Sequence, residues 1–445
     1  AYGAPAVGAG YMYLLLALYV MKFSTDVLLI APAVMGLIFS VSRIWDAISD
    51  PLVGYLSDRT GLSLGRRRTW ILVSLVPIAI GFYAVFAPPQ GLSVEALSWW
   101  MAVAVIGFYS AMTLFFVPHM ALGAELSDDY HERSRLFGFR HAFYTFGSIL
   151  SLATMQLLIN EEFSDGGDVR SMAEQYALYA VVGMSVLVLY AVVNLRERPE
   201  FQGRLASSPT SAFRDVWQNP HARLLVIVTF IENIGSSAIA VLTLYVTQYV
   251  VGAPLWAPLI IFAYMLPSTA SVPMWLPLSR RFGKIKVWIF GMALYGVAFG
   301  GMFFLPFLDS VDARLALIIA MAAFAGFAAG CGGTIGPSVQ GDVIDYDEYK
   351  TGERKEGSYF AVWNFTYKSA LGVMLLLTGF VLEASGFIPN QPQPMSVQFA
   401  MVTLYGALPL VCYVIGALLF SRFKLNEQEY AVIRAELDRR ATAAS

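Results

Sequence analysis

The sequence predicts an all-α integral membrane protein with about twelve transmembrane helices in two six-helix halves. Hydrophobic residues make up 57% of the 445 and charged residues only 13%, mean hydropathy is +0.62, and apolar stretches of about 20 residues, one bilayer crossing each, recur along the chain. Soluble domains carry roughly twice that charge. The stretches centre near residues 14, 40, 79, 109, 148, 183, 235, 266, 295, 325, 370 and 408.

The first stretch, YMYLLLALYVM, has no small-residue cleavage site after it and is followed at once by more apolar segments, so it reads as a first helix rather than a signal peptide. The longest polar interruption, residues 194–223, falls between the sixth and seventh segments and divides the chain. The expected organisation is an N-terminal half over 1–195, a cytoplasmic central loop over 196–220, a C-terminal half over 221–423 and a cytoplasmic tail over 424–445. The tail stretch KLNEQEYAVIRAELDRR has helical periodicity and mixed charge, as a short amphipathic helix has.

Orientation follows from the basic residues, which stay cytoplasmic in short loops. Arg59, Arg66, Arg67 and Arg68 follow the second segment, Arg133 and Arg135 the fourth, Arg196, Arg198 and Arg204 the sixth, and Arg280, Arg281, Lys284 and Lys286 the eighth. Both termini are therefore expected in the cytoplasm, the chain lying multi-pass in the inner or plasma membrane. A net charge of −2 gives no nucleic-acid signal. Cys331 and Cys412 sit far apart in apolar stretches, where packing thiols are expected rather than a disulfide framework. The expected partners are the lipid bilayer and a small organic solute, with the chain a monomer.

The halves echo each other. GYLSDRTGLSLGRRR (54–68) joins segments two and three, and PLSRRFGKIK (277–286) joins segments eight and nine. A six-helix repeat with this turn resembles the major facilitator superfamily, whose Gly, Asp-Arg, Gly-Arg-Arg pattern matches Gly54, Asp58, Arg59, Gly65, Arg66 and Arg67. Physically, Asp58 can accept from arginines or cap a helix N-terminus, forming a cytoplasmic gate. Glu125 and Arg133 join Asp58, Arg59, Arg66 and Arg67 in the expected gate, and Asp345, Asp347, Glu348 and Lys350 are expected in the matching loop of the second half.

Ionisable residues inside a bilayer are costly and mark function by default. Asp46, Ser49 and Asp50 fall at i, i+3 and i+4, on one helical face. Two carboxylates and a hydroxyl at one point suit Na⁺ or a shared proton. A pair neutralised by Arg43 or Lys368 is the structural alternative. Pro51 either frees a carbonyl one turn back as a further ligand or simply kinks the helix.

RIWDAISDPLVGYLSDRTGLSLGRRRTWI resembles the second-helix signature of the glycoside-pentoside-hexuronide cation symporters, the melibiose permease group. GDVIDYDEYKTGERKEGSYFAVWNFTYKSALGV (341–373) and VPHMALGAELSDDYHERSRLFGFR (117–140) resemble further stretches of the same family, in matching order. The resemblance implies that Asp46 and Asp50 hold the coupling cation, Na⁺ or H⁺, with Ser49 where Asn is common, Thr113 adding a hydroxyl and Lys368 facing the site. The family's sugar-binding carboxylate and tryptophan on the fourth segment are replaced by Phe116 and Met120, and its first-segment carboxylate falls near Gly10.

The remaining polar residues expected in the cavity are Arg140, Glu232, Asn233 and Lys368, with His119 and His141 nearby. This set resembles the sodium-dependent lysophosphatidylcholine transporters. Arg140 and Lys368 are expected to take an anionic group and Glu232 a cationic amine, while Phe116, Met120 and Trp363 complete the substrate set. His119 and His141 are either proton relays or structural hydrogen-bond donors. The expected function is cation-coupled symport of an amphipathic or zwitterionic solute by alternating access. A sugar or glycoside symporter is the alternative, and a non-coupled receptor or scramblase the alternative of another class. No P-loop, zinc-ligand cluster or Gly-x-Ser-x-Gly elbow is present, so no enzyme and no cofactor beyond the coupling ion are expected.

Overall fold

A computed structural model describes residues 1–62, 64–126, 130–197, 214, 216–352, 355–425 and 427–444. Its long helices are α1 (Ala4–Lys22), α2 (Pro32–Asp58), α3 (Arg66–Phe86), α4 (Val94–Glu125), α5 (Tyr130–Glu162), α6 (Val169–Asn194) and α7 (Pro220–Tyr245). They continue as α8 (Ala257–Ala270), α9 (Val272–Phe282), α10 (Lys284–Met302), α11 (Val311–Thr351), α12 (Glu356–Ala384), α13 (Met395–Val402), α14 (Leu408–Phe420) and α15 (Glu427–Ala444).

Among the described residues, ten helices are long and apolar enough to cross a membrane, and α8 with α9, bent by 46° at Ser271, forms one further candidate. Helix α2 falls outside that set because of its charges, yet its 27 residues span about 40 Å. These elements coincide with the twelve apolar stretches of the sequence, and the chain is an all-helical membrane protein.

Local chemistry fixes the helix ends. The side chains of Ser93, Asp168, Asn219 and Ser310 accept from backbone N–H groups at the starts of α4, α6, α7 and α11. Pro32 and Pro220 open α2 and α7, where a missing N–H costs nothing. The two basic turns end on the same device: Gly65 precedes α3 at φ 110° and Gly283 precedes α10 at φ 88°, backbone angles that glycine alone adopts freely.

By contact the chain divides into two compact units, one of residues Ala1–Ala206 with Leu375–Gln391 and one of Ser207–Met374 with Pro392–Ser445. In the first unit α1 packs along α5 and α3 along α4; in the second α8 and α10 pack on α11, and α7 on α14. Small residues permit the closest crossings, because a Cβ on Gly147 would collide with the Val7 carbonyl of α1, and one on Gly326 with the Tyr264 carbonyl of α8.

Candidate functional site

In the first unit α2 turns Asp46, Ser49 and Asp50 toward α4, where Thr113 meets them. The Thr113 hydroxyl lies 2.7 Å from Asp46 Oδ1 and 3.0 Å from Asp50 Oδ1. Ser49 Oγ donates to the Asp46 carbonyl at 3.2 Å and lies 3.5 Å from Thr113 Oγ1. Asp46, Ser49 and Thr113 are buried. One hydroxyl carries one proton and so donates to one carboxylate at a time.

Arg43 stands beside the pair on α2. Its guanidinium stacks on the Tyr109 ring at 3.9 Å, donates to the Tyr109 hydroxyl and to the Tyr13 hydroxyl at 3.3 Å, and reaches Asp46 only at 4.0 Å. Two carboxylates and two hydroxyls thus present oxygen donors to one another; among the described residues no group of three or more His, Cys, Asp or Glu gathers.

Twelve residues past Asp46, the expected gate residues form a buried network. Arg66 lies 2.8 Å from Glu125 and 3.8 Å from Asp58; Arg67 pairs with Asp58, lies 3.1 Å from Glu125 and donates to Ser57 Oγ at 2.6 Å. Arg59 stands apart, over the Tyr55 ring at 4.1 Å. The Arg133 side chain lies outside the described ones. Sequence reading missed Glu197, which accepts from the backbone N–H groups of Arg66 and Arg68 at 2.9 and 2.6 Å and so caps α3 from the far end of the unit. No local pattern announces that contact.

The second unit corrects one expectation. Asp345, Asp347, Glu348 and Lys350 do not form a loop, because α11 runs on to Thr351. The partner of the turn lysine is Asp342, whose two oxygens lie 2.8 and 2.6 Å from Lys284. Asp345 instead accepts from Tyr430 of α15 at 2.8 Å, with Arg434 at 3.8 Å.

Glu232 and Asn233 border a cavity of about 260 Å³ among α7, α8, α10, α11 and α14. Glu232 is buried and lines this cavity together with the Trp288 indole. Around it, Tyr264 and Tyr295 share a hydroxyl contact of 2.8 Å, and the Tyr413 ring lies 4.5 Å from that of Tyr295. Thr229 and Gln340 add polar groups, and Gly332, Gly333 and Gly336 keep one wall bare beside the indole. Thr229, Glu232, Asn233 and Ser236 at i, i+3, i+4 and i+7 were legible as one polar helix face; Trp288 and the three tyrosines, scattered over three other helices, were not.

The other expected substrate residues are distributed over both units. Arg140 lies 5.9 Å from the Phe116 ring, which meets Tyr13 edge-on at 5.5 Å. Met120 is exposed. Trp363 is buried against Tyr359 and Phe360, and Lys368 is half-buried one turn further along α12. His119 is fully buried between the Tyr2 and Phe115 rings and contacts the Tyr2 carbonyl at 2.9 Å, whereas His141 is exposed.

Residues 1–427 match the family described as MFS/sugar transport protein. The chain is 26% identical to the inner membrane symporter YicJ of Escherichia coli strain K12, covering 91% of this chain and 86% of that protein. It is 25% identical to the sodium-dependent lysophosphatidylcholine symporter 1 of Xenopus tropicalis, covering 93% and 84%. The crystal structure of a D-xylose-proton symporter superposes with a TM-score of 0.71 at 15% identity, covering 95% and 96%. The chain belongs to this major facilitator family of symporters, and is a multi-pass membrane transporter rather than an enzyme.

Proposed function

We propose that the chain is a cation-coupled symporter that carries Na⁺ or H⁺ on Asp46 and Asp50, with Ser49 and Thr113 as hydroxyl ligands. The observation that carries this reading is the Thr113 hydroxyl held within 3.0 Å of both carboxylates. A cation bound between two carboxylates offsets their mutual repulsion, so ion occupancy changes which conformation is favoured. A solute that favours the same conformation is then coupled to the ion. The basic turns support an orientation with both termini in the cytoplasm.

For the cargo, the Glu232 cavity supports a small hydroxyl-rich solute of the sugar or glycoside class. Glu232 supplies an acceptor for paired hydroxyls, Trp288 an apolar plate for a ring face, and Tyr264, Tyr295, Tyr413, Asn233 and Gln340 a ring of polar partners. An amphipathic cargo, the first expectation from the sequence, is the second reading. It is favoured by an apolar cavity of about 280 Å³ lined by Trp217, Ile227, Phe230, Val362 and Phe365.

A thermal-shift screen of the purified protein against xylosides, hexosides, hexuronates and lysophosphatidylcholine separates the two. Stabilisation by a glycoside, lost in Glu232→Gln, is the expected result. Stabilisation by lysophosphatidylcholine alone, untouched by that substitution, would transfer the cargo to the apolar cavity. A chain in which Asp50→Asn still accumulated solute against its gradient would not be a symporter of this design.

A further inference from the structure

The cavity around Glu232 carries one sign of charge. Its lining comes from α7, α8, α10, α11 and α14 of the second unit, and among the described residues it holds one carboxylate and no lysine, arginine or histidine. Glu232 itself is 8% exposed. Among the described residues, the titratable groups within its electrostatic reach are the Cys331 thiol and the Tyr413 hydroxyl, neither of them basic. The carboxylates of the first unit's gate have a different setting, since Arg66 and Arg67 hold Asp58 and Glu125 there.

The rest of the wall favours the same ligand charge. Trp288, Tyr264, Tyr295 and Tyr413 present four aromatic rings to the cavity. Tyr295 lies 4.5 Å from Tyr413 and meets Tyr264 nearly edge-on at 6.5 Å. The faces of such rings carry negative potential and attract an ammonium group. An ammonium also brings three donors, which a carboxylate accepts as charge-assisted hydrogen bonds. A carboxylate on the cargo meets the reverse, with a second acid beside it, ring faces of the wrong sign and no basic side chain in the lining. Burying a charge without a partner is costly. Size narrows the class further: about 260 Å³ falls below the roughly 300–1,000 Å³ of sites for drug-sized ligands, which leaves room for a single sugar ring. Asn233 and Gln340 add amide groups for the ring hydroxyls.

Resting on the reading of this cavity as the cargo site, we propose that it selects cargo by charge: a single sugar ring bearing an amino group binds best, the neutral ring binds less tightly, and the uronate is rejected. Glu232 receives the ammonium and is the residue that sets this order.

The test is titration calorimetry on the full chain purified in detergent, at neutral pH and fixed NaCl, with two matched series. One is glucosamine, methyl glucoside and glucuronate; the other is galactosamine, methyl galactoside and galacturonate, so that a mismatched hydroxyl does not mask the effect of charge. We expect the amino sugar to bind about tenfold tighter than the neutral ring of its series, the gain of one charge-assisted hydrogen bond, and the uronate to bind at least about tenfold more weakly than the neutral ring. In Glu232→Gln the amino and neutral rings should bind alike, whereas Glu232→Asp keeps the order because it keeps the charge. Tyr264→Phe is the structural comparison, which should weaken all three ligands together and leave their ratios unchanged. An amino sugar that binds no tighter than the neutral ring or the uronate, or a preference for it that survives Glu232→Gln, overturns the charge selectivity and leaves the cargo site in place. No binding by any sugar removes the cargo reading itself, and the selectivity with it.

Discussion

The two units place carboxylates in opposite settings. In the first, Asp46 and Asp50 converge on one threonine hydroxyl. In the second, the buried carboxylate of Glu232 shares a cavity with Trp288 and three tyrosines. The basic turns differ in the same way. After Gly65 two arginines hold Asp58 and Glu125 in a buried network, whereas after Gly283 one lysine, 38% exposed, holds Asp342. One backbone plan thus carries two chemistries. The first unit concentrates charge, and the second concentrates hydroxyl groups around one acceptor.

That contrast can be broken at its strongest point first. Asp50→Asn should bring solute accumulation in proteoliposomes down to the equilibrium level, because the ion gradient loses its seat. Glu232→Gln and Trp288→Ala should instead weaken solute binding by roughly 10- to 100-fold, the range of a hydrogen bond to a charged group, and leave the ion dependence of unfolding unchanged. Titration calorimetry with the best glycoside of the screen reads this directly. Equal damage to ion response from either substitution would erase the division between the units.

The turns offer the next comparison. Arg67→Ala leaves Asp58 and Glu125 short of a buried partner and should cost about 3–5 kcal/mol. Lys284→Ala removes a partly exposed pair and should cost about 1 kcal/mol or less. Thermal unfolding of both variants measures the gap. Gly65→Ala and Gly283→Ala should each cost about 1–2 kcal/mol from the positive φ. Gly65→Ala should be the worse, since its Cβ would press on Glu197 while the Cβ at Gly283 meets open space.

The smallest effect belongs to the tail. Burial, and then its hydrogen bond to Asp345, raise the Tyr430 hydroxyl above the ordinary phenol range, so it remains a donor throughout the neutral range. Tyr430→Phe should loosen α15 by about 1 kcal/mol, with no change between pH 6 and 9 on the order of that value. Glu436, exposed and hydrogen-bonded to Arg439 and then Arg440, is pulled down to about 2. A depressed carboxyl contributes above its ordinary value and is lost as pH falls toward 2. Proteolysis at the α14–α15 junction, followed against pH, checks both.

Much of this architecture was legible because it is written in local patterns. Apolar length gave the spans, i, i+3, i+4 spacing gave the Asp46, Ser49, Asp50 face, and glycine with arginines gave the turns. What was not legible depends on which distant helices meet. Trp288 and the tyrosines meet Glu232 around one cavity only through the packing of α8, α10 and α14 about α7, which no local pattern records. Glu197 capping α3 and Asp342 pairing Lys284 are likewise contacts across more than 50 residues. Lys22 at the end of α1 and Glu162 at the end of α5 pair across 140 residues, and neither helix end is unusual by itself.

The most direct measurement is a pair of flux assays on Asp50→Asn proteoliposomes with the selected glycoside. Solute exchange between equal internal and external pools needs the second-unit cavity but no ion gradient, whereas uphill uptake driven by a Na⁺ or H⁺ gradient needs both. We expect exchange to persist and uphill uptake to disappear. Uphill uptake that survives in Asp50→Asn would contradict the assignment of the coupling ion to the α2 seat.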